Sequence, residues 1–282
     1  MREKSSNSIQ KNVFNSNYLQ RATSASGEIF GAFRAWPVWI YLSLNDIRTK
    51  YRRAALGPLW LVFGIGIALS GMALAWSVIF GVSWREYVPY MISGMLVWQL
   101  ISGYILQSCD MFTGEFSGLI KSLPAPPIIY ALRFVMRGLW LFLHYLPFWV
   151  CVAVATGTWP TVESIPYFVL GLFMTLVTAL SVSVIVGMMA ARFRDLSPAI
   201  GALMTPAMMV TPVMWKPEML GEYGVYAKMN PLTHYVEVLR APLLGHAPGG
   251  ESLIAVGVMA AFFSLLAFIL YRRYRYTLVL WV

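Results

Sequence analysis

Two arginines inside an apolar run are the residues of this chain best placed to do chemistry. Arg133 and Arg137 lie four residues apart, about one helical turn, early in the run Ile128–Thr156. Cations at membrane depth are costly and usually face a partner or an aqueous path. The pair could therefore bind the phosphate or pyrophosphate of a lipid-linked substrate. Both arginines also stand near the end of the run, so their side chains could instead extend to the membrane surface, and the sequence leaves both interpretations open.

No catalytic or metal-binding set is evident elsewhere in the sequence. The histidines His144, His234 and His246 have no cysteine or carboxylate nearby at ligand spacing, so we expect no metal site and no catalytic residues. Neither Cys109 nor Cys151 belongs to a disulfide or zinc pattern. The phosphate-loop pattern GxxxxGK(S/T) is absent, so the chain is not expected to bind or hydrolyse ATP through it.

Aromatic side chains in the first two apolar runs form a second candidate site, because flat rings can stack on sugar rings in a conduit. The same rings could belong to a lipid-facing aromatic belt, which is the commoner location for any single one. Together with the two arginines, the following residues are our candidates for a substrate path: Trp60, Phe63, Tyr90, Trp98 and Tyr104.

The composition indicates what kind of element must position these residues. Of the 282 residues, 59% are hydrophobic and 12% are charged, and the mean hydropathy is +0.65. Soluble domains carry about 25% charged residues, so we expect an all-α integral membrane protein. Pro206 and Pro212 interrupt the fifth of six candidate transmembrane helices, which are Ala54–Gly81, Tyr87–Cys109, Ile128–Thr156, Ile165–Ala190, Ala199–Trp215 and Leu253–Tyr271.

The basic residues gather on one side of a six-span arrangement. Segments rich in Lys and Arg stay in the cytoplasm, so both termini are expected there. This placement accounts for the net charge of +9 without nucleic-acid binding. The exceptions on the other side are Arg85, Lys216, Lys228 and Arg240.

The residues before the first span divide into two segments. Residues 1–27 are rich in Ser, Asn and Gln and predict a flexible tail. Residues 28–54 predict an amphipathic helix in the cytoplasmic interface, in contact with membrane lipids, and residues 55–282 form the six-span domain. A short first span beginning near Phe33 is the alternative. The interfacial helix takes its apolar face from Ile40, Leu44, Ile47 and Tyr51, and its other assigned residues are Arg48, Lys50, Arg52 and Arg53.

Two connections between spans have the pattern of short helices. The connection 110–127 ends in prolines, and it predicts an amphipathic helix that packs on the membrane or inserts into the groove of a partner. The sequence does not decide between these two. The apolar face of this helix consists of Phe112, Phe116, Leu119, Ile120 and Leu123.

The longer connection, Lys216–Glu251, predicts a helix that re-enters the outer leaflet. Asn230 is a suitable N-cap, Pro231 suits the first turn and Gly245 is a natural stop. Residues 218–227 predict a second re-entrant helix as its mate. Glu237 and Arg240 are expected to face water or a partner protein, with Tyr235 on the apolar face. A surface helix with no gating role is the alternative.

Several motifs, occurring in matching order, resemble those of the permease subunits of ABC polysaccharide exporters. The resemblance extends from about Trp36 to the C-terminus. The motifs that carry it are residues 46–53 (DIRTKYRR), 56–60 (LGPLW), 78–81 (VIFG), 194–196 (RDL), 211–213 (TPV), 230–232 (NPL) and 240–245 (RAPLLG).

The resemblance implies a transport subunit and not an enzyme. Two copies would form a channel and work with two separate ATP-binding subunits, which hold ATP and magnesium. The exported molecules of that family are lipid-linked O-antigen, capsule or teichoic-acid chains, moved across the bacterial inner membrane. By the same likeness Phe112–Leu123, with Glu115 and Lys121, would be the helix that couples to the ATPase, and an outer gate would include Asn230, Pro231, Tyr235, Glu237 and Arg240.

Three other functions compete with this one. An exporter of small molecules or drugs with the same kind of permease is the nearest. A lipid-modifying membrane enzyme would need an acidic or histidine cluster at the bilayer face, which the sequence lacks. A membrane scaffold would leave the coupling-helix pattern unexplained.

Overall fold

The computed structural model describes residues 24–52, 59–123 and 125–282, and within them every regular element is a helix. In chain order the α-helices are α1 Ala25–Arg34, α2 Trp36–Lys50, α3 Leu59–Ile79, α4 Trp84–Asp110, α5 Ser117–Ser122, α6 Pro127–Thr156, α7 Ile165–Arg192, α8 Leu196–Val210, α9 Gly224–Met229, α10 Pro231–Leu243, α11 Gly250–Tyr274 and α12 Leu278–Trp281. A π-helical turn, Met111–Glu115, extends α4, and a 3-10 helix, Pro217–Tyr223, precedes α9.

Within the described residues, five helices are long and apolar enough to cross a membrane. They are α3, α4 with its π-helical extension, α6, α7 and α11. The helix at the place of the fifth predicted span, α8, has 15 residues, which corresponds to about 22 Å. The chain is thus an all-α integral membrane protein, as predicted. Five of the six predicted spans are helices long enough to cross a membrane, and the fifth in sequence is a shorter apolar helix.

α8 ends earlier than predicted because a proline follows it closely. Pro212 pushes the preceding residue out of the helical region, and Thr211 accordingly adopts φ −83° and ψ 134°. The predicted span Ala199–Trp215 is therefore helical only as far as Val210.

The turns after α8 nevertheless complete a crossing of the bundle. In the first turn of α8, the Ser197 side chain lies beside the thiol of Cys109, near the C-terminal end of α4. Beyond α8, the carbonyl oxygen of Trp215 accepts a hydrogen bond of 3.0 Å from the hydroxyl of Tyr90, near the N-terminal end of α4. The segment 197–215 therefore extends from one end of α4 to the other. We call the end where α4 finishes the basic end.

α4 is the centre of the bundle and packs against α3, α6, α7, α8 and α10. Between Tyr87 and Tyr104, Gln99 is the one exposed side chain on it. Because lipid tails are as apolar as the packed side chains, helices within the membrane gain little from the exclusion of water. Close van der Waals packing between the helices stabilises their contacts instead. Gly94 provides one such close contact: a Cβ there would lie 2.6 Å from the carbonyl oxygen of Val213.

The N-terminal region forms two helices instead of the single helix predicted over residues 28–54. α1 ends at Arg34 and α2 begins at Trp36, with Ala35 between them at φ −80° and ψ 27°. Pro37 explains the break, because a proline lacks the amide hydrogen and clashes with the carbonyl four residues earlier, whereas it is accepted in the first turn of a new helix. α1 also reaches back to Ala25, inside the segment predicted to be a tail.

α2 has one buried side, as predicted, but this side is displaced from the predicted apolar face: Ile47 is buried, whereas Ile40 and Leu44 are only half-buried. Its buried residues are Trp39, Ser43 and Ile47, which recur every four residues along the side that packs on α6. Burial also raises the pKa of the half-buried Tyr51, just beyond the helix. Arg53 lies outside the described residues, and the other basic residues predicted to stay off the buried face, Arg48, Lys50 and Arg52, are exposed.

Candidate functional site

The two arginines of α6 are each held by a carboxylate from another segment. The guanidinium of Arg133 donates to both carboxylate oxygens of Asp46 on α2, with Nε 2.8 Å from Oδ2. Arg137 makes the same fork with Glu115 of the π-helical turn, with one contact of 2.9 Å. Bidentate, charge-assisted pairs of this kind are strong and directional. The sequence had suggested phosphate binding or extension to the membrane surface, and the structure adds a positioning role.

These two ion pairs join three segments at the basic end. Arg133 connects α6 to α2, and Arg137, one turn further along α6, connects it to the end of α4. The guanidinium of Arg133 also lies over the ring of Phe116, 5.0 Å from its centroid. The interfacial helix and the predicted coupling segment are therefore both fastened to the same helix.

The predicted coupling segment is not one continuous helix. The π-helical turn ends at Phe116, whose φ of −108° and ψ of 5° separate it from α5. Asp110 lies close to this turn: a Cβ on Gly114 would lie 2.1 Å from the Asp110 carboxylate, so a larger residue there would require the Asp110 side chain to move. The regular spacing of the apolar residues gave no indication of this break.

The apolar stripe of this segment faces the chain's own core. Phe112 and Phe116 are fully buried, and Ile120 is buried beside them. The ring of Phe116 stacks on that of Tyr130, with 5.4 Å between centroids. The expectation that this stripe is open to the membrane or a partner's groove is therefore corrected. The surface that remains exposed on the segment consists of Gly114, Glu115, Gly118, Lys121 and Ser122, while Leu119 and Leu123 are half-buried.

Among the aromatic candidates for a substrate path, Tyr104 lines open space, a groove between α3, α4 and α6, whereas Trp98 does not. Trp98 and Tyr104 are buried in the packing of α4, and the Tyr104 hydroxyl donates to the carbonyl of Val135 at 2.7 Å. Phe63 is exposed on α3. The side chain of Trp60 lies outside the part of the structure that is described.

The groove between α3, α4 and α6 provides open space, and two predicted path residues, Tyr104 and Arg137, line it, but sequence reasoning missed its glutamines. Its volume is about 270 Å³. The polar side chains that line it are those of Gln99, Ser102, Tyr104, Gln107, Arg137 and Tyr145. The signal that could have found it is the occurrence of two carboxamides eight residues apart in an apolar run, with Gly103 midway. Such residues fall on one face of a helix.

At the other end of the bundle, the predicted helix after Asn230 is present. The Asn230 side chain accepts a hydrogen bond from the amide of Leu232 at 3.0 Å, and Pro231 is the first residue of the helix. Gly245 lies just beyond the end of the helix, with φ +86°. The predicted mate is helical too, as the 3-10 helix and α9. α10 packs against α4, α7 and α11, and Tyr235 donates to the hydroxyl of Thr178 at 2.9 Å.

The predicted outward orientation of Arg240 is wrong. Its side chain is 3% exposed, and it donates to Glu237 at 2.8 Å and to the carbonyl of Pro212 at 2.7 Å. Its guanidinium lies 4.0 Å from the ring centroid of Tyr90. A buried cation is retained when hydrogen bonds and a ring face replace its hydration, which is the arrangement here. Glu237 is half-buried and completes the pair.

A buried acidic residue near the N-terminus was also missed. Glu28 of α1 accepts from the hydroxyl of Tyr271 at 2.9 Å and pairs with Arg275 at 3.3 Å. The contact joins the two ends of the chain across 243 positions of sequence, so no local pattern could have predicted it. In the described ranges no group of three His, Cys, Asp or Glu side chains is arranged to hold a metal ion.

Comparison with known proteins adds two findings. The family model for ABC-2 type transporters matches residues 39–244, well over half of the chain. The O-antigen export system permease protein RfbA of Myxococcus xanthus is 23% identical over 229 residues, which cover 78% of this chain and 86% of that protein.

Proposed function

The chain belongs to the ABC-2 type transporter family, and we propose that it is the permease subunit of an exporter that moves a lipid-linked, O-antigen-like polysaccharide across the bacterial inner membrane. The observation that carries the proposal is the likeness to an O-antigen export permease over most of both chains. That likeness favours polysaccharide as cargo over a drug or another small molecule.

The distribution of charge supports an orientation with both termini in the cytoplasm. Arg48, Lys50, Lys121 and Arg192 all lie at the basic end. Cytoplasmic loops carry the excess of Lys and Arg in membrane proteins. The basic end is accordingly the cytoplasmic end in this proposal, and the opposite end of the bundle, which contains α10 and Arg240, is periplasmic.

We assign the contact with the ATP-binding subunit to the exposed side of the segment 114–122. ATP and magnesium belong to that partner subunit, and this chain receives only the mechanical displacement. Glu115 passes a displacement to α6 through Arg137, and the buried Phe116 passes it through Tyr130. Because Arg133 also ties α6 to Asp46, α2 is expected to follow the same movement.

A second copy of the chain is the proposed partner within the membrane. α8 has no buried residue in the single chain. On α3, Gly64, Ala68, Gly71 and Ala75 are all exposed, and this spacing places small residues on one face, the pattern that lets transmembrane helices approach closely. Two copies meeting along α3 and α8 would enclose a conduit between them.

The outer gate is proposed at α9 and α10, with Asn230, Pro231, Tyr235, Glu237 and Arg240. Arg240 connects α10 to the carbonyl of Pro212, and Asn230 donates to Thr211 at 2.9 Å. Both bonds reach the turns that follow α8, so α10 and the periplasmic end of that crossing are expected to move together.

The proposal is tested by deleting the gene in its native host and by purifying the tagged chain from the same host in mild detergent. We expect loss of the surface polysaccharide, accumulation of lipid-linked glycan on the cytoplasmic side, and a stoichiometric ATPase with a phosphate loop in the purified sample. Unchanged surface polysaccharide together with lost resistance to small toxic compounds would contradict the proposed cargo. Recovery of the chain with no ATPase would contradict the transporter assignment as a whole.

A further inference from the structure

The groove between α3, α4 and α6 has an unusual lining for a surface within the membrane. Along α4 its floor is formed by Gln99, Gly103 and Gln107, and Ile65 and Tyr145 stand on its two sides. The three α4 residues are four apart and therefore lie on one face of the helix. Gln107 lies one turn from the basic end of α4, and Gln99 lies about 16 Å from that end.

The two amides are exceptional in this sequence. Between Leu59 and Tyr274 the only other carboxamide side chain is that of Asn230. Both glutamines are exposed, although α4 from Tyr87 to Ile105 is otherwise buried or half-buried. In the part of the chain that the structure describes, neither amide has a hydrogen-bond partner. An unpaired amide is unfavourable in hydrocarbon, so this face of α4 is expected to meet water or a polar ligand.

Two glycines shape the packing around the groove. A Cβ on Gly138 would lie 2.3 Å from the ring of Tyr104, so the glycine lets this ring pack closely against α6. A Cβ on Gly103 would meet only the amide of Gln107, at 3.5 Å. Gly103 and Gly138 both line the groove, so a larger side chain at either position would occupy part of its open space.

The electrostatics of the lining favour a neutral ligand. Arg137 is the one charged residue that lines the groove, and its guanidinium is already paired with Glu115. Each glutamine amide both donates and accepts hydrogen bonds. A sugar hydroxyl also donates and accepts hydrogen bonds, whereas a fully ionised phosphate only accepts them.

We propose that this groove binds the uncharged, hydroxyl-rich part of the exported glycan, with Gln99 and Gln107 as hydrogen-bonding residues. The inference rests on the proposed function and specifies its substrate path. It keeps Tyr104 and Arg137, which line the groove, as path residues and replaces the buried Trp98.

The first test measures whether the groove is wet, and it does not depend on transport. Single cysteines replace Gln99 or Gln107 in a chain with Cys109→Ala and Cys151→Ala, reconstituted with its co-purified partners in vesicles. A charged, membrane-impermeant methanethiosulfonate reagent is expected to label them at least tenfold faster than cysteines at Val258 and Leu265, which are exposed on the outer surface of α11. Equally slow labelling at all four positions would overturn the proposal. Efficient disulfide formation between Gln99→Cys residues of two copies, with export retained, would also overturn it, because the groove would then be a subunit contact.

The second test measures export in the native host. The double variant Gln99→Leu, Gln107→Leu is expected to lower surface polysaccharide at least tenfold while the amounts of chain and co-purified ATPase stay constant. The matched double variant Gln99→Asn, Gln107→Asn, which keeps both amides, is expected to retain most of the export. Normal export by the leucine variant overturns the groove proposal alone. Unchanged polysaccharide after deletion of the whole gene overturns the proposed function, and leaves the labelling result to decide whether the groove is polar.

Discussion

The ion pair between Arg133 and Asp46 is expected to hold α2 against the transmembrane bundle. Its side chains are only 14% and 17% exposed. Removing one partner of a fully buried pair costs about 3–5 kcal/mol, whereas surface pairs contribute about 0–1 kcal/mol. For this intermediate exposure we expect Arg133→Ala to weaken the attachment of α2 by about 2–2.8 kcal/mol. Since 1.4 kcal/mol corresponds to a factor of ten, the detached population should rise about 30- to 100-fold.

Limited proteolysis can measure this change, because the exposed Arg48, Lys50 and Arg52 are trypsin sites on or beside α2. When detachment is fast compared with cleavage, the cleavage rate follows the detached population. The variant Arg133→Ala should therefore be cut about 30- to 100-fold faster within residues 48–52 than the unchanged chain in the same detergent.

Arg137→Ala is the matched control. It removes the same type of side chain one turn away, but its partner Glu115 belongs to the π-helical turn. Faster cleavage is then expected after Lys121 and not within residues 48–52. The reasoning is refuted if Arg133→Ala leaves cleavage within residues 48–52 unchanged, or if both variants accelerate both sites equally, since neither pair would then hold a particular segment.

Three further predictions concern other contacts. Gly138→Ala should destabilise the chain by about 1–3 kcal/mol through overpacking on Tyr104, seen as a lower melting temperature, while Gly257→Ala, whose Cβ would meet only a methionine methyl at 3.8 Å, should not. Arg240→Lys should lower the melting temperature nearly as much as Arg240→Ala, because an ammonium cannot reproduce the planar fork and ring contact. Lys121→Glu, on the exposed side of α5, should reduce co-purification of the ATPase without changing the melting temperature.

The helix before Gly245 could be predicted from sequence because its signals are local. An N-cap, a first-turn proline and a glycine stop each act within a few residues, and Asn230, Pro231 and Gly245 behave as those signals require. The same holds for the break that Pro212 imposes after α8, although sequence reasoning predicted only an interrupted helix there and not a crossing completed by turns.

What could not be predicted depends on contacts between distant segments. Helical spacing identifies the apolar stripe of Phe112 and Phe116, but the same spacing serves a helix that packs inward and one that docks on a partner. Arg240 was expected to face water because charge usually does, and its ring partner Tyr90 and its carbonyl partner Pro212 belong to other elements. Neither partner is visible from the residues around Arg240.

The turns after α8 carry a consequence for how the protein tolerates sequence change. Side chains from elsewhere bind the main-chain oxygens of Pro212, Met214 and Trp215. Every residue has a carbonyl oxygen, so these hydrogen bonds do not depend on which side chains the accepting segment carries. The donors are side chains, so the bonds do depend on the residue types of Tyr87, Tyr90 and Arg240. In a saturation mutagenesis scan, positions 214 and 215 should accept many replacements, whereas these three distant positions should accept very few.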